Sequence, residues 1–141
     1  MESKARILVV DDRERTVRAI QRVLQKEGYE VLTAFDGVTG LKKICEEKPD
    51  LIILDIMMPG MDGYEVCRRL QRNPATARIP VLMLTGKGRL DYKGPGFRVR
   101  VQEQVDGYDA GAVEFLTKPI GAKELVKRVR GLLWMGDVQS R

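Results

Sequence analysis

The sequence predicts an α/β fold built on a parallel sheet, and three observations carry that reading. Two short apolar runs, Ile7-Leu8-Val9-Val10 and Leu51-Ile52-Ile53-Leu54, stand unbroken by any polar residue. Runs of this kind suit strands covered on both faces, as parallel sheets require. Both runs end in carboxylates, at Asp11-Asp12 and at Asp55. Burying an unpaired carboxylate in the middle of a strand costs several kcal/mol. The acids therefore belong at the C-terminal tips, where open α/β sheets form their binding crevices. Strand-like and helix-like segments also alternate along the whole chain, the βαβ pattern of a parallel sheet.

The elements follow in order. After the first strand, Arg13 to Glu27 carries Val17, Ile20, Val23 and Leu24 at helical spacing, and Gly28 takes the position just past the helix. Tyr29 to Ala34 is rich in β-formers and predicts the second strand. Asp36-Gly37 predicts a turn, with Val38, Leu41, Ile44 and Cys45 on the inward face of a second helix that Pro49-Asp50 closes. Leu51 to Asp55 is the third strand. Asp62 is placed to cap a third helix bearing Tyr64, Val66, Cys67 and Leu70, which Asn73-Pro74 ends. Ile79 to Leu84 predicts a fourth strand finishing at Thr85-Gly86. A fourth helix with Val101, Val105 and Tyr108 on one face leads to Gly111-Ala112. Val113 to Leu116 is a short fifth strand ending at Thr117-Lys118-Pro119. The last helix, Ala122 to Trp134, turns Leu125, Val129, Leu132 and Leu133 inward and Lys123, Lys127, Arg128 and Arg130 outward.

A chain of 141 residues, 43% hydrophobic, is long enough for one core without metal or disulfide support. Residues 1–135 are expected to form that domain, and 136–141 a tail or the start of a linker. Cys45 and Cys67 lack the spacing of a metal or redox motif, so both are expected as buried free thiols. No apolar run approaches the roughly 18 residues of a membrane span. Arg13 and Glu14 interrupt the N-terminal region too early for a signal peptide. A cytoplasmic domain is expected. The net charge of +5 is too modest to require an anionic partner, so neither a membrane nor a direct nucleic-acid role is expected of the domain.

If the strands are parallel, their C-terminal ends bring Asp11, Asp12, Asp55, Thr85 and Lys118 to one edge of the sheet. Three carboxylates in one crevice repel one another unless a cation sits among them. Hard oxygen ligands of this type suit Mg²⁺, which takes only one or two protein carboxylates directly and keeps several waters. The ammonium and the hydroxyl complete a site for a phosphoryl group. A carboxylate in line with that group can act as nucleophile and form an aspartyl phosphate.

These residues resemble the receiver domain of bacterial two-component response regulators. The resemblance rests on Ile7 to Asp12, Leu54-Asp55-Ile56-Met57-Met58-Pro59-Gly60-Met61-Asp62-Gly63, Leu84-Thr85, Gly111-Ala112 and Phe115-Leu116-Thr117-Lys118-Pro119. It implies a flavodoxin-like, doubly wound, three-layer fold with five parallel strands in the order 2-1-3-4-5 and five helices. It implies that Asp55 accepts the phosphoryl group. Asp12, Asp55 and the backbone carbonyl of Met57 would ligate Mg²⁺, with Asp11 acting mostly through a bound water. Lys118 would pair with the phosphoryl oxygens, and the Lys118-Pro119 bond is expected to be cis. Thr85 matches the switch hydroxyl and Phe115 the switch aromatic. Their movement would repack the face made by the fourth helix, fifth strand and fifth helix, which is also an open candidate for a homodimer contact. The implied partners are a sensor histidine kinase or phosphotransfer protein, and a downstream protein target or output domain.

The chain departs from the family pattern in places. Gly86 stands where a small residue such as alanine is common, and Val113-Glu114 where an acidic pair is frequent. The larger departure is an insert at 86–100, whose Lys87 to Arg100 stretch holds five basic residues against the single Asp91. Gly94-Pro95-Gly96 predicts a turn within it and hence a short hairpin. The insert reads as a solvated loop, as a docking flap anchored by Tyr92 and Phe97, or as a nucleic-acid contact. Two rival functions use the same residues. A haloacid-dehalogenase-like phosphatase also employs a strand-tip aspartate and Mg²⁺, but its second acid would fall at Met57. An unphosphorylated pseudo-receiver, serving as an interaction module, would not need the intact Asp11, Asp12, Asp55, Thr85 and Lys118 set. The domain is therefore expected to be a signalling phosphoacceptor and not an enzyme acting on a separate substrate.

Overall fold

The structure, a computed structural model, describes residues 4–86 and 113–139. The elements are β1 (Arg6–Val10), α1 (Glu14–Lys26), β2 (Glu30–Ala34), α2 (Gly37–Glu47), β3 (Leu51–Asp55), α3 (Gly63–Arg72), β4 (Val81–Thr85), β5 (Val113–Thr117) and α4 (Ala122–Gln139). The α4 segment is the helix expected as the fifth, and it continues past Trp134. The helix expected around Val101 to Tyr108, and the insert beyond Gly86, lie outside the described residues.

All neighbouring strands are parallel and lie in the order β2-β1-β3-β4-β5. The pleat sends Leu8, Val10, Ile52, Leu54, Val81 and Met83 to a core shared with Ile44, Val66 and Leu70 of α2 and α3. Ile7, Val9, Leu51, Ile53, Leu82 and Leu84 face the opposite core, with Val17, Ile20 and Leu24 of α1 and Leu125, Val129 and Leu132 of α4. Helices cover both faces, which explains why β1, β3 and β4 are apolar without alternation. Each fully buried Leu or Ile contributes roughly 1.5–3 kcal/mol. The Lys118-Pro119 bond is cis, as the resemblance implied.

Local chemistry sets the ends of the helices. Asp62 Oδ1 accepts the Glu65 backbone N–H at 2.9 Å, the predicted cap of α3. Asp36 does the same for α2, accepting the Thr39 N–H at 2.7 Å, so Asp36-Gly37 opens the helix instead of forming a separate turn. Gly28 adopts φ 92° just past α1, a left-handed conformation that glycine enters without penalty.

The inward face of α2 needs correction. Val38 is 63% exposed and Cys45 is also exposed, while Gly37, Gly40 and Ile44 are buried. A Cβ on Gly40 would lie 2.9 Å from the Val10 methyls, and one on Gly37 would lie 2.5 Å from the Met61 carbonyl oxygen. The two glycines make the close approach, and this turns Val38 and Cys45 to solvent. Cys67 is buried as expected, and burial pushes its thiol up to about 12, far from thiolate reactivity. Arg128 is not a freely solvated residue of the outer face of α4. Its guanidinium binds Glu124 at 2.8 Å and Glu114 of β5 at 3.0 Å.

Gly63 holds the turn after β3 against the strand end. Its N–H donates to the Ile56 carbonyl at 2.9 Å. A Cβ there would meet the Asp55 carbonyl oxygen at 2.7 Å and Ile56 Cα at 2.9 Å, both backbone atoms that cannot swing aside. Gly63→Ala is therefore expected to destabilise the fold by roughly 2–3 kcal/mol, read as a lower urea midpoint at unchanged m-value.

Candidate functional site

The sheet brings the predicted residues together at its C-terminal edge. The ladders β1·β3 and β3·β4 align Val10 with Leu54 and Asp55 with Leu84, so Asp11, Asp55 and Thr85 emerge at nearly one level. The register of β4 and β5 pairs Thr85 with Thr117, which delivers Lys118 as the next residue. The Lys118 N–H donates to the Thr85 carbonyl at 2.8 Å and extends that ladder by one bond.

Asp11, Asp12 and Asp55 form one cluster, each offering a carboxylate oxygen within 4.8 Å of the others. Asp11 is fully buried, Asp55 is 5% exposed, and Asp12 lies in the open. Lys118 Nζ reaches Asp11 Oδ2 at 2.7 Å and Asp55 Oδ1 at 3.6 Å. Asp11 Oδ1 also accepts the Arg13 backbone N–H at 2.9 Å. Burial pushes the Asp55 carboxyl up from 3.8 to about 6, and the neighbouring Asp11 charge pushes it the same way. Lys118 and the Met57 backbone N–H oppose that rise, while Asp12 adds to it. An anionic carboxylate here sits in an environment that still lacks positive charge. Hard, closely spaced oxygens with excess negative charge fit Mg²⁺.

The predicted residues Asp11, Asp12, Asp55, Thr85 and Lys118 thus share one site, and Met57 adjoins it through its backbone. Phe115 is half-buried and packs against the core on the α2 and α3 side, with Met83 as its register partner. Two contributors escaped the sequence reading. Arg13 acts through its backbone N–H, which carries no side-chain signal. Thr117 accepts a hydrogen bond from the Thr85 hydroxyl at 3.4 Å, and only the strand register exposes that pairing.

Comparison with known proteins agrees with this geometry. The response regulator receiver domain family matches residues 7–130. Response regulator PleD of Caulobacter vibrioides is 48% identical over 128 residues, covering 91% of this chain and 26% of that protein. The DNA-binding dual master transcriptional regulator RpaA of Synechocystis sp. is 41% identical over 132 residues, covering 94% of this chain and 50% of that protein. The chain thus spans half or less of the length of these two curated relatives. Among solved structures, a putative response regulator from Chloroflexus aurantiacus aligns with TM-score 0.76 and 34% identity, over 93% of this chain and 98% of that one. Chemotaxis protein CheY4 of Vibrio cholerae aligns with TM-score 0.77 and 29% identity, over 92% and 99%. The parallel sheet, the acids at its strand ends and these matches lead to one assignment: the chain belongs to the response regulator receiver domains of two-component systems.

Proposed function

We propose that Asp55 accepts a phosphoryl group from a sensor histidine kinase or phosphotransfer protein, and that the modified domain signals by changing its surface. The observation that supports this most directly is the setting of Asp55. It is a nearly buried carboxylate at the tip of the central strand, with an ammonium 3.6 Å away and two further acids beside it. In the transfer, one Asp55 oxygen attacks phosphorus while the bond to the donor's imidazole nitrogen breaks and that nitrogen keeps the electron pair. Lys118 is placed to pair with the phosphoryl oxygens. Asp12, Asp55 and the Met57 carbonyl would hold Mg²⁺, with Asp11 acting through a water, and the ion would supply positive charge where negative charge develops.

The Thr85 hydroxyl then turns toward the phosphoryl group, and Phe115 repacks into the space it leaves. This biases a two-state equilibrium of the face that includes β5 and α4. On this reading residues 1–135 are the receiver and 136–141 its tail or linker start, acting in the cytoplasm as a signalling domain. Its target is a downstream protein, a second copy bound through that face, or an output domain in a longer protein. The names and lengths of PleD and RpaA support the last of these.

Incubation with acetyl phosphate and Mg²⁺ is expected to add one phosphoryl group, detected by mass and removed by base or hydroxylamine, as an acyl phosphate requires. Asp55→Asn or chelation by EDTA should abolish the addition. Unmodified wild-type protein would instead favour the pseudo-receiver reading. The raised Asp55 carboxyl also links stability to pH. The native state binds more protons than the unfolded chain between pH 3.8 and about 6, so the contribution of Asp55 falls as pH rises through that window. The loss amounts to roughly 3 kcal/mol and is complete above it. In EDTA, Asp55→Asn should therefore be the more stable protein at pH 7 by urea denaturation. The gap should close near pH 4 and narrow at pH 7 when Mg²⁺ is added.

A further inference from the structure

Thr117 precedes the site lysine on β5, and the reading above gives it no part. Its register partner is Thr85. Partners in a parallel ladder present their side chains to the same face, and here the two hydroxyls meet. Thr85 Oγ1 donates to Thr117 Oγ1 at 3.4 Å. The same two strands are tied one step further by the 2.8 Å bond from the Lys118 N–H to the Thr85 carbonyl. The Thr85 backbone is thereby fixed, and the hydroxyl is left as its movable part. Thr85 itself is only 5% exposed, so a hydroxyl that leaves its partner must find another inside the site.

We propose that Thr117 is a positioning residue that holds the Thr85 hydroxyl away from Asp55 in the resting state. The inference rests on Asp55 being the phosphoacceptor and Thr85 the responding hydroxyl. Before modification, the Thr85 hydroxyl donates to Thr117. Once a phosphoryl group stands on Asp55, the same proton is offered to a charged oxygen, which makes the stronger bond. The resting bond is long for a hydroxyl pair, and Thr117 is exposed, so water readily replaces the lost partner. The latch is weak enough to release and still biases the resting population.

Thr117 also shares its strand face with Phe115, two residues earlier. Its release coincides with the place where the aromatic must repack. The hydroxyl of Thr117 thus sets part of the threshold that the phosphoryl group has to overcome. Because β5 pairs with β4 alone among the described strands, Thr117→Val keeps a β-branched residue on an edge position without opening a cavity.

The test measures binding of beryllofluoride, a phosphoryl mimic, in the presence of Mg²⁺ by calorimetry. Wild type, Thr117→Val, Thr117→Ser, Thr85→Ala and the Thr85→Ala/Thr117→Val double variant are compared, with thermal melts as folding controls. Thr117→Val should bind about twofold more tightly than wild type, the factor carried by a neutral hydrogen bond at the weak end of its range. Thr117→Ser, which keeps the acceptor, should match wild type. The valine effect should vanish in the Thr85→Ala background, since it acts through that hydroxyl. Unchanged affinity in Thr117→Val, or an equal gain with and without Thr85, overturns the latch while leaving Asp55 as the acceptor. Wild-type protein that takes up neither beryllofluoride nor phosphate overturns the phosphoacceptor reading and this inference with it.

Discussion

Two carboxylates removed from water lie within reach of a single lysine side chain, and the rest of the molecule answers to that crowding. Asp11 is fully buried and Asp55 nearly so, while Lys118 Nζ sits 2.7 Å from the first and 3.6 Å from the second. Removing one partner from a buried ion pair typically costs about 3–5 kcal/mol, because the other charge is left stranded. One ammonium cannot satisfy both acids fully. Asp11 receives the shorter contact and the Arg13 backbone N–H, while Asp55, with the longer contact and the Met57 N–H, has its carboxyl held above its usual range by burial and the Asp11 charge. The site is thereby biased toward taking further positive charge beside Asp55, which is what a metal-assisted transfer to that carboxylate requires.

Holding charges in this arrangement demands a stiff frame. β3 is buried along its whole length and bonded to β1 on one side and β4 on the other. Its apolar side chains enter two separate cores, so a shift of the strand would disturb both. The turn that follows is pinned where Gly63 meets the backbone of Asp55 and Ile56. Gly40 lets α2 settle against Val10, the residue before Asp11, and Gly37 lets it settle against Met61 in the turn after β3. Close packing at these glycines turns apolar burial into fixed positions for polar groups.

Much of this was legible in the sequence, for an identifiable reason. Strands covered on both faces have no polar alternation, so Ile7 to Val10 and Leu51 to Leu54 stand out as unbroken apolar runs, and their terminal acids mark one edge of the sheet. The Asp62 cap was equally plain, because its chemistry is local. The face of α2 was not. Helical period counts apolar side chains, whereas the contact surface there consists largely of glycines, so Val38 and Cys45 face solvent although the period puts them inward. The pairing of Lys118 with Asp11 was also hidden, since sequence order places the lysine at the site without saying which acid it prefers. Arg13 contributes a backbone atom and Thr117 a cross-strand register, and neither leaves a trace in residue type alone.

The placement of the proposed switch residues matches the difference between the centre of the sheet and its edge. The proposed acceptor, Asp55, ends β3, which is bonded to a strand on either side and is thereby held in place. The groups proposed to respond lie further out. Phe115 and Thr117 lie on β5, which is bonded on one side only among the described strands, and where Phe115 is half-buried and Thr117 exposed. A side chain there exchanges partners at small cost, because water and the margin of the core accept what it gives up. Thr85 stands on β4 between the two regimes, with its backbone locked into the ladder and its hydroxyl free to turn. On the proposed reading, a chemical change at a rigid centre is read as a change of packing at a compliant edge without deforming the sheet between them.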